Sequence, residues 1–266
     1  MPTVTVEGST IEYEDAGSGS GSGSGGLPLL LLHTLLADRT VYERVIPALA
    51  ADRRVLTPNF PGYGASTGPI GPEITDYAHR VAAFLDALGI AKVDLLGNGY
   101  GGFVAQAVAL EHPQRVGKLM LVDTAPAFPE PAKVPLRGLK AKVTAEGMEG
   151  VLDAAMLRMF PPAYIEAAPE VIAERRAALA KADPALFANA CGALVALDHT
   201  PRLPEIAHPT MVMVGLEDQT TPPDLSRALA AGIPGASLIE LPGVGHCPQV
   251  QAPESFLKGV QTFLAA

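Results

Sequence analysis

Residues 95–102 read Leu95-Leu96-Gly97-Asn98-Gly99-Tyr100-Gly101-Gly102, and the structure implied on either side of them decides the fold. Upstream, 92–97 carries the apolar run of a buried strand; downstream, 100–112 opens a helical pattern. A strand that turns sharply into a helix through Gly97-Asn98-Gly99-Tyr100-Gly101 has the frame of a Gly-x-Ser-x-Gly turn, whose central residue stands exposed on a strained backbone. Here the centre of the frame is Gly99, which carries no hydroxyl.

Outward from that turn, 27–32, 54–57, 93–96 and 118–123 read as strands, with helical patterns at 41–50, 74–88 and 103–110 between them. In 74–88, Ile74, Tyr77, Ala78, Val81, Phe84, Leu85 and Leu88 share one face. This alternation predicts an α/β fold, a mostly parallel sheet with helices on both faces. Ahead of it, 3–6 and 10–13 predict an antiparallel hairpin turned at Gly8-Ser9, followed by a Gly-Ser repeat over 17–26 that is expected to be a flexible loop. The rhythm breaks after 125. Between 126 and 207 no strand-like run occurs; Met148, Val151, Leu152, Ala155, Met156 and Met159 mark an amphipathic helix, and 169–182 and 184–197 suggest two more. Alternation resumes with strands at 210–214 and 237–241 and helices at 222–231 and 255–264. The expected organisation is a core domain in two parts, 1–125 and 208–266, with a helical cap at 126–207 inserted between them.

A chain of 266 residues suffices for one such core with an insertion. Its formal net charge of −9, with no block of Lys or Arg, argues against a nucleic-acid partner, because phosphate binding needs clustered cations. Cys191 and Cys247 lie far apart without metal or redox spacing and read as reduced thiols of a cytoplasmic protein. No apolar run reaches the roughly 20 residues of a membrane span, and no charged leader precedes an apolar stretch at the N-terminus, so the chain reads as unexported and unattached to membranes. The expected partner is a small-molecule substrate, with a homodimer as an allowed assembly. Neither a cofactor nor a metal is read. Gly97 to Gly102 superficially matches a dinucleotide loop, but the acid such a loop needs for the ribose is not clearly placed.

The chain resembles the α/β-hydrolase superfamily, in particular its lid-bearing esterases, enol-lactonases, haloperoxidase-like esterases and carbon-carbon bond hydrolases. The resemblance spans 11–264. It rests on a strand ending in His33, the turn Asn59-Phe60-Pro61-Gly62-Tyr63-Gly64-Ala65-Ser66, the frame around Gly99, the turn Gly215-Leu216-Glu217-Asp218, and Gly243-Val244-Gly245-His246 before the last helix. It implies a nucleophile elbow at Gly99, a catalytic acid at Asp218, a base at His246, and oxyanion donors in the backbone amides of Leu35 and Tyr100. Asp123, ending its own strand, is the alternative acid. Where the family usually carries His-Gly, this chain has His33-Thr34, and His33 reads as a structural hydrogen-bonder beside the pocket. Met148, Met156, Met159, Phe160, Tyr164 and Leu194 are expected to contribute to an apolar substrate pocket, with ordinary core packing as the competing reading. Cys247, although it adjoins His246, lacks the thiolate-stabilising surroundings of a nucleophile.

Glycine relieves elbow strain, so Gly99 does not threaten folding, but it removes the obvious nucleophile. Three readings follow: an engineered removal of a catalytic serine, a natural relative in which Asp218 and His246 act as a general-base dyad, and a ligand-binding pseudoenzyme. A base acting on water would cleave an ester, a lactone or a carbon-carbon bond beside a carbonyl; a base acting on the substrate would give lyase or cyclase chemistry. Serine returned to position 99 is expected to restore esterase turnover.

Overall fold

In the computed structural model, eight strands among the described residues, 1–17 and 26–266, form one sheet. The Gly-Ser repeat lies almost entirely outside those residues. The strands are β1 (Thr3–Val6), β2 (Ser9–Ala16), β3 (Leu29–Leu32), β4 (Val55–Pro58), β5 (Val93–Asn98), β6 (Val116–Val122), β7 (Thr210–Gly215) and β8 (Ser237–Leu241), in the order β1-β2-β4-β3-β5-β6-β7-β8. The first hairpin and the β2–β4 pair are antiparallel, and from β4 to β8 every neighbour is parallel. The unbroken apolar runs follow from this: all four leucines of β3 are fully buried, as a parallel strand covered on both faces requires. The hairpin turns at Glu7-Gly8, one residue before the expected place, with both residues at positive φ (47° and 78°). Val6 thereby pairs with Ser9, and the strand twist is matched by two left-handed residues.

The flanking helices are α1 (Ile46–Leu49), α2 (Ile74–Ala87), α3 (Tyr100–Glu111), α4 (Glu130–Glu146), α5 (Leu152–Met159), α6 (Pro162–Ala167), α7 (Pro169–Leu179), α8 (Pro184–Ala196), α9 (Pro223–Gly232), α10 (Pro248–Gln251) and α11 (Pro253–Ala265). The helix expected over 41–50 is instead a 3-10 turn, Arg39–Tyr42, followed by the single turn α1. The stripe beginning at Met148 likewise starts with a 3-10 turn, Met148–Val151, before α5.

Every regular element between β6 and β7 is an α-helix or a 3-10 turn, apart from a bridge between Ala127 and Asp198. Beside that bridge the His199 amide donates to the Pro126 carbonyl at 2.9 Å, so the two ends of the helical insertion are clipped together. The longest helix of the insertion, α4, carries Pro135 inside it, and α4 packs on α8.

Candidate active site

The turn from β5 into α3 places Gly99 at φ 53° and ψ −115°. Its frame is steric. A Cβ on Gly97 would meet the Gly101 carbonyl oxygen at 2.1 Å, and one on Gly101 would meet that of Leu32 at 2.2 Å. The Gly99 amide donates to Val122 O (2.9 Å) and that of Gly101 to His33 O (3.0 Å), which ties the elbow to both neighbouring strands.

Two later loops converge on it. At the end of β7, Asp218 Oδ1 accepts from the amides of Thr220 (2.7 Å) and Thr221 (3.1 Å). Its Oδ2 accepts from the Thr221 hydroxyl (2.7 Å) and from Nδ1–H of His246 (2.9 Å). Both side chains are buried, at 0 % and 1 % exposure. Because Nδ1 carries the proton toward a carboxylate, Nε2 presents a lone pair, and that lone pair accepts the hydroxyl of Thr34 at 3.1 Å. The histidine loop is held by its backbone: the His246 amide donates to Met159 O (2.9 Å), and Asn98 Nδ2 donates to His246 O (3.0 Å). Asn98 is itself fixed by Gln249, whose amide donates to Asn98 Oδ1 at 3.0 Å. The residue before the elbow glycine is therefore the clamp between the turn and the histidine loop.

A model of the alpha/beta hydrolase family matches residues 29–258. The chain belongs to that family. It is 32% identical over 238 residues to the 2-hydroxy-6-oxo-6-phenylhexa-2,4-dienoate hydrolase of Burkholderia cepacia, covering 84% of this chain and 81% of that one. With 3-oxoadipate enol-lactonase 2 of Acinetobacter baylyi it shares 29% identity over 204 residues, 76% of this chain and 75% of the relative. The crystal structure of the enol-lactonase from Burkholderia xenovorans LB400 superposes with a TM-score of 0.92 at 30% identity and covers 100% of both chains.

In this alpha/beta hydrolase, His33 is fully buried and packs against Phe60 and Tyr63, with ring centroids at 4.7 and 4.8 Å. Its Nε2 accepts from the Phe60 amide (3.0 Å) and its Nδ1–H donates to Thr34 O (2.8 Å). Burial pulls its pKa down to about 4, so the ring is neutral. The carbonyl of Thr34 and the amide of Leu35 belong to one planar peptide and point opposite ways, so His33 aims the Leu35 N–H by holding the carbonyl. Neither the Leu35 nor the Tyr100 amide donates to a protein acceptor among the described residues. Both residues line the cavity beside Gly99. His33 does not line it, contrary to expectation, because both of its ring nitrogens are engaged behind the loop.

Asp123 has φ 46°, accepts the Gly215 amide on Oδ1 (2.8 Å) and leaves Oδ2 without a partner. It is Asp218 and not Asp123 that bonds the imidazole. Burial, reinforced by the neighbouring Asp218, pushes the Asp123 carboxyl well above the usual carboxylate range. Donor atoms of Asp123, Asp218 and His246 lie within 4.8 Å of one another, but the facing atoms of Asp218 and His246 are hydrogen-bonded to each other.

A narrow cavity opens beside the elbow. Thr34, Gly99 and His246 line it, and Phe103, Phe128, Leu136, Leu139 and Leu194 contribute much of its apolar surface. Of the insertion residues expected there, only Leu194 lines it. Met148, Met156, Met159 and Phe160, 0–6 % exposed, pack into the core instead, since their stripe faces the protein interior. Tyr164 stacks on Phe160 at 5.3 Å, and its hydroxyl donates to Val250 O at 3.3 Å. Arg158 lies between Met156 and Met159 in sequence and was not anticipated, nor were Leu136 and Leu139 of α4. The Arg158 carbonyl accepts the Thr220 hydroxyl (2.8 Å), which ties α5 to the turn that carries Asp218; the Arg158 Nε is buried without a partner. Cys247 is buried, and burial raises its thiol well above the ordinary range; Cys191 is likewise pushed up to about 12. Both thiols are protonated and unfit as nucleophiles.

Proposed function

We propose that this chain is a hydrolase of small carbonyl compounds, esters or lactones foremost, in which His246 is the general base and Asp218 its orienting acid. The observation that carries the reading is the polarity of the dyad: Nδ1–H is committed to a buried carboxylate, and the Nε2 lone pair faces a hydroxyl beside the elbow. Asp218 fixes the tautomer and stabilises the imidazolium when Nε2 takes a proton. The amides of Leu35 and Tyr100, free of internal acceptors, suit a developing oxyanion. The helical insertion, whose Leu136, Leu139, Arg158 and Leu194 wall the cavity, serves as the cap.

The preferred substrate carries an acidic group. Beside the apolar part of the lining, the Arg158 guanidinium has a buried Nε with no partner, and desolvation lowers its pKa. Such a cation is stabilised by a carboxylate brought in by the ligand. The relatives named for 3-oxoadipate enol-lactone and for a dienoate act on compounds of that kind by name. Two buried, unpaired thiols fit a reducing, cytoplasmic setting. Among the described residues no helix is long and apolar enough to cross a membrane.

The test is turnover of a chromogenic ester and lactone series, half bearing a free carboxylate, by the wild-type chain and by His246→Ala. Loss of turnover on the order of 10³-fold in the variant is expected. Wild-type turnover that survives His246→Ala would end the general-base reading. A product formed without oxygen from labelled water would instead assign His246 to proton abstraction from the substrate.

A further inference from the structure

We propose that Thr34 is the nucleophile of this chain, its hydroxyl standing where the side chain of an elbow serine would reach. The proposal rests on His246 being the base and adds the atom on which that base acts. Its carrying observation is a complementarity between two positions. A Cβ built on Gly99 would fall 2.5 Å from Thr34 Oγ1 and 2.5 Å from His246 Nε2. The hydroxyl of residue 34 therefore fills the volume that residue 99 leaves open, and it already donates to Nε2 at 3.1 Å. Thr34, His246 and Asp218 form a continuous buried chain of hydrogen bonds.

The surroundings suit the role. Thr34 is not among the residues at positive φ, so its side chain rests on ordinary backbone. His33 pins its carbonyl at 2.8 Å, and a β-branched side chain has few rotamers in which to place its oxygen. The two amides proposed as oxyanion donors adjoin these positions, that of Leu35 directly following Thr34 and that of Tyr100 directly following the elbow glycine, and both residues line the same cavity as Thr34. Thr34 also lines the cavity, within reach of a substrate there.

The chemistry balances as acyl transfer to water. Thr34 Oγ1 attacks the ester or lactone carbonyl carbon while its proton passes to His246 Nε2. The tetrahedral oxyanion sits on the two amides, and its collapse breaks the bond to the leaving oxygen, which takes the proton from His246. Water, deprotonated by His246, then cleaves the threonine ester, giving the free acid and restoring the hydroxyl. The secondary alcohol of threonine is more crowded than the primary alcohol of serine, so small or unhindered acyl groups are preferred.

Intact mass and peptide mapping after treatment with a fluorophosphonate probe, together with p-nitrophenyl acetate turnover, test this on wild type, Thr34→Val, Thr34→Ser and His246→Ala, with thermal melts as the check on folding. Expected are a covalent adduct on the peptide containing Thr34, its loss along with turnover (on the order of 10³-fold or more) in Thr34→Val, and retention of both in Thr34→Ser. Ester turnover preserved in a folded Thr34→Val but lost in His246→Ala would overturn the nucleophile and leave the base standing. Turnover preserved in both variants would overturn the two together. An adduct mapped elsewhere, or neither adduct nor turnover in the wild type, also overturns the assignment of Thr34.

Discussion

A serine placed alone at position 99 would drive its Cβ to 2.5 Å from both the Thr34 hydroxyl and His246 Nε2, so the restoration expected from sequence does not follow. Gly99→Ser by itself should cost about 1–3 kcal/mol, as overpacking does, and should yield little esterase activity. The paired change Thr34→Gly with Gly99→Ser removes the contact with residue 34 and gives the imidazole room to yield at the other, and it should exceed the single variant at least tenfold in p-nitrophenyl acetate turnover; equal rates would show that the two positions are not coupled. The two aspartates differ in the same way. Asp218→Asn replaces the acceptor of the imidazole proton and should lower turnover on the order of 10⁴-fold, whereas Asp123, which does not touch the imidazole and whose neutral form burial favours, should change it less than tenfold when replaced by the neutral isostere Asn. At this scale the site was legible where chemistry is tied to a local motif. Asp218 and His246 sit in short glycine-bearing turns at strand ends. The role of Thr34 was not legible, because it depends on a contact spanning 212 positions in the chain.

Helix α5 shows how an element can be read correctly and its face misjudged. Periodicity identified the stripe Met148 to Met159, but a stripe reports burial and not what it is buried against, and these side chains meet the core. The residue that reaches the cavity, Arg158, interrupts the stripe. Arg158→Leu should therefore reduce kcat/KM for a carboxylate-bearing ester about 10- to 100-fold, the range of a charge-assisted hydrogen bond, while leaving a neutral ester of the same size within about threefold. A uniform loss on both substrates would instead assign Arg158 to packing. Helix α4 was missed outright. Pro135 inside it reads as a break, yet the helix persists because Leu136, Leu139 and Val143, at spacings of three and four, bury one side of it. Packing against α8 overrides the local signal, and both leucines go on to wall the cavity.

For the molecule as a whole, the buried titratable groups pull stability in opposite directions with pH. His199, 6 % exposed beside the clip that joins the ends of the insertion, is drawn by burial from 6.5 down to about 4, as is His33. A lowered folded value means that each contribution is fully present above 6.5 and is lost as pH falls toward about 4, an effect of up to about 3 kcal/mol per histidine. Asp123 has the reverse sign: its folded value is raised, so its contribution is fully present below the ordinary carboxylate range and is lost as pH rises through the folded value. Over the acidic window the two histidines outnumber the one carboxyl, and Tm should fall from pH 6.5 to pH 4. Replacing His199 by Gln should flatten that fall. Asp123→Asn should steepen it, because the variant no longer gains a proton-linked contribution as the histidines lose theirs. Thermal melts of the three proteins across that range decide the matter: parallel curves would mean that neither side chain titrates differently in the folded and unfolded chain.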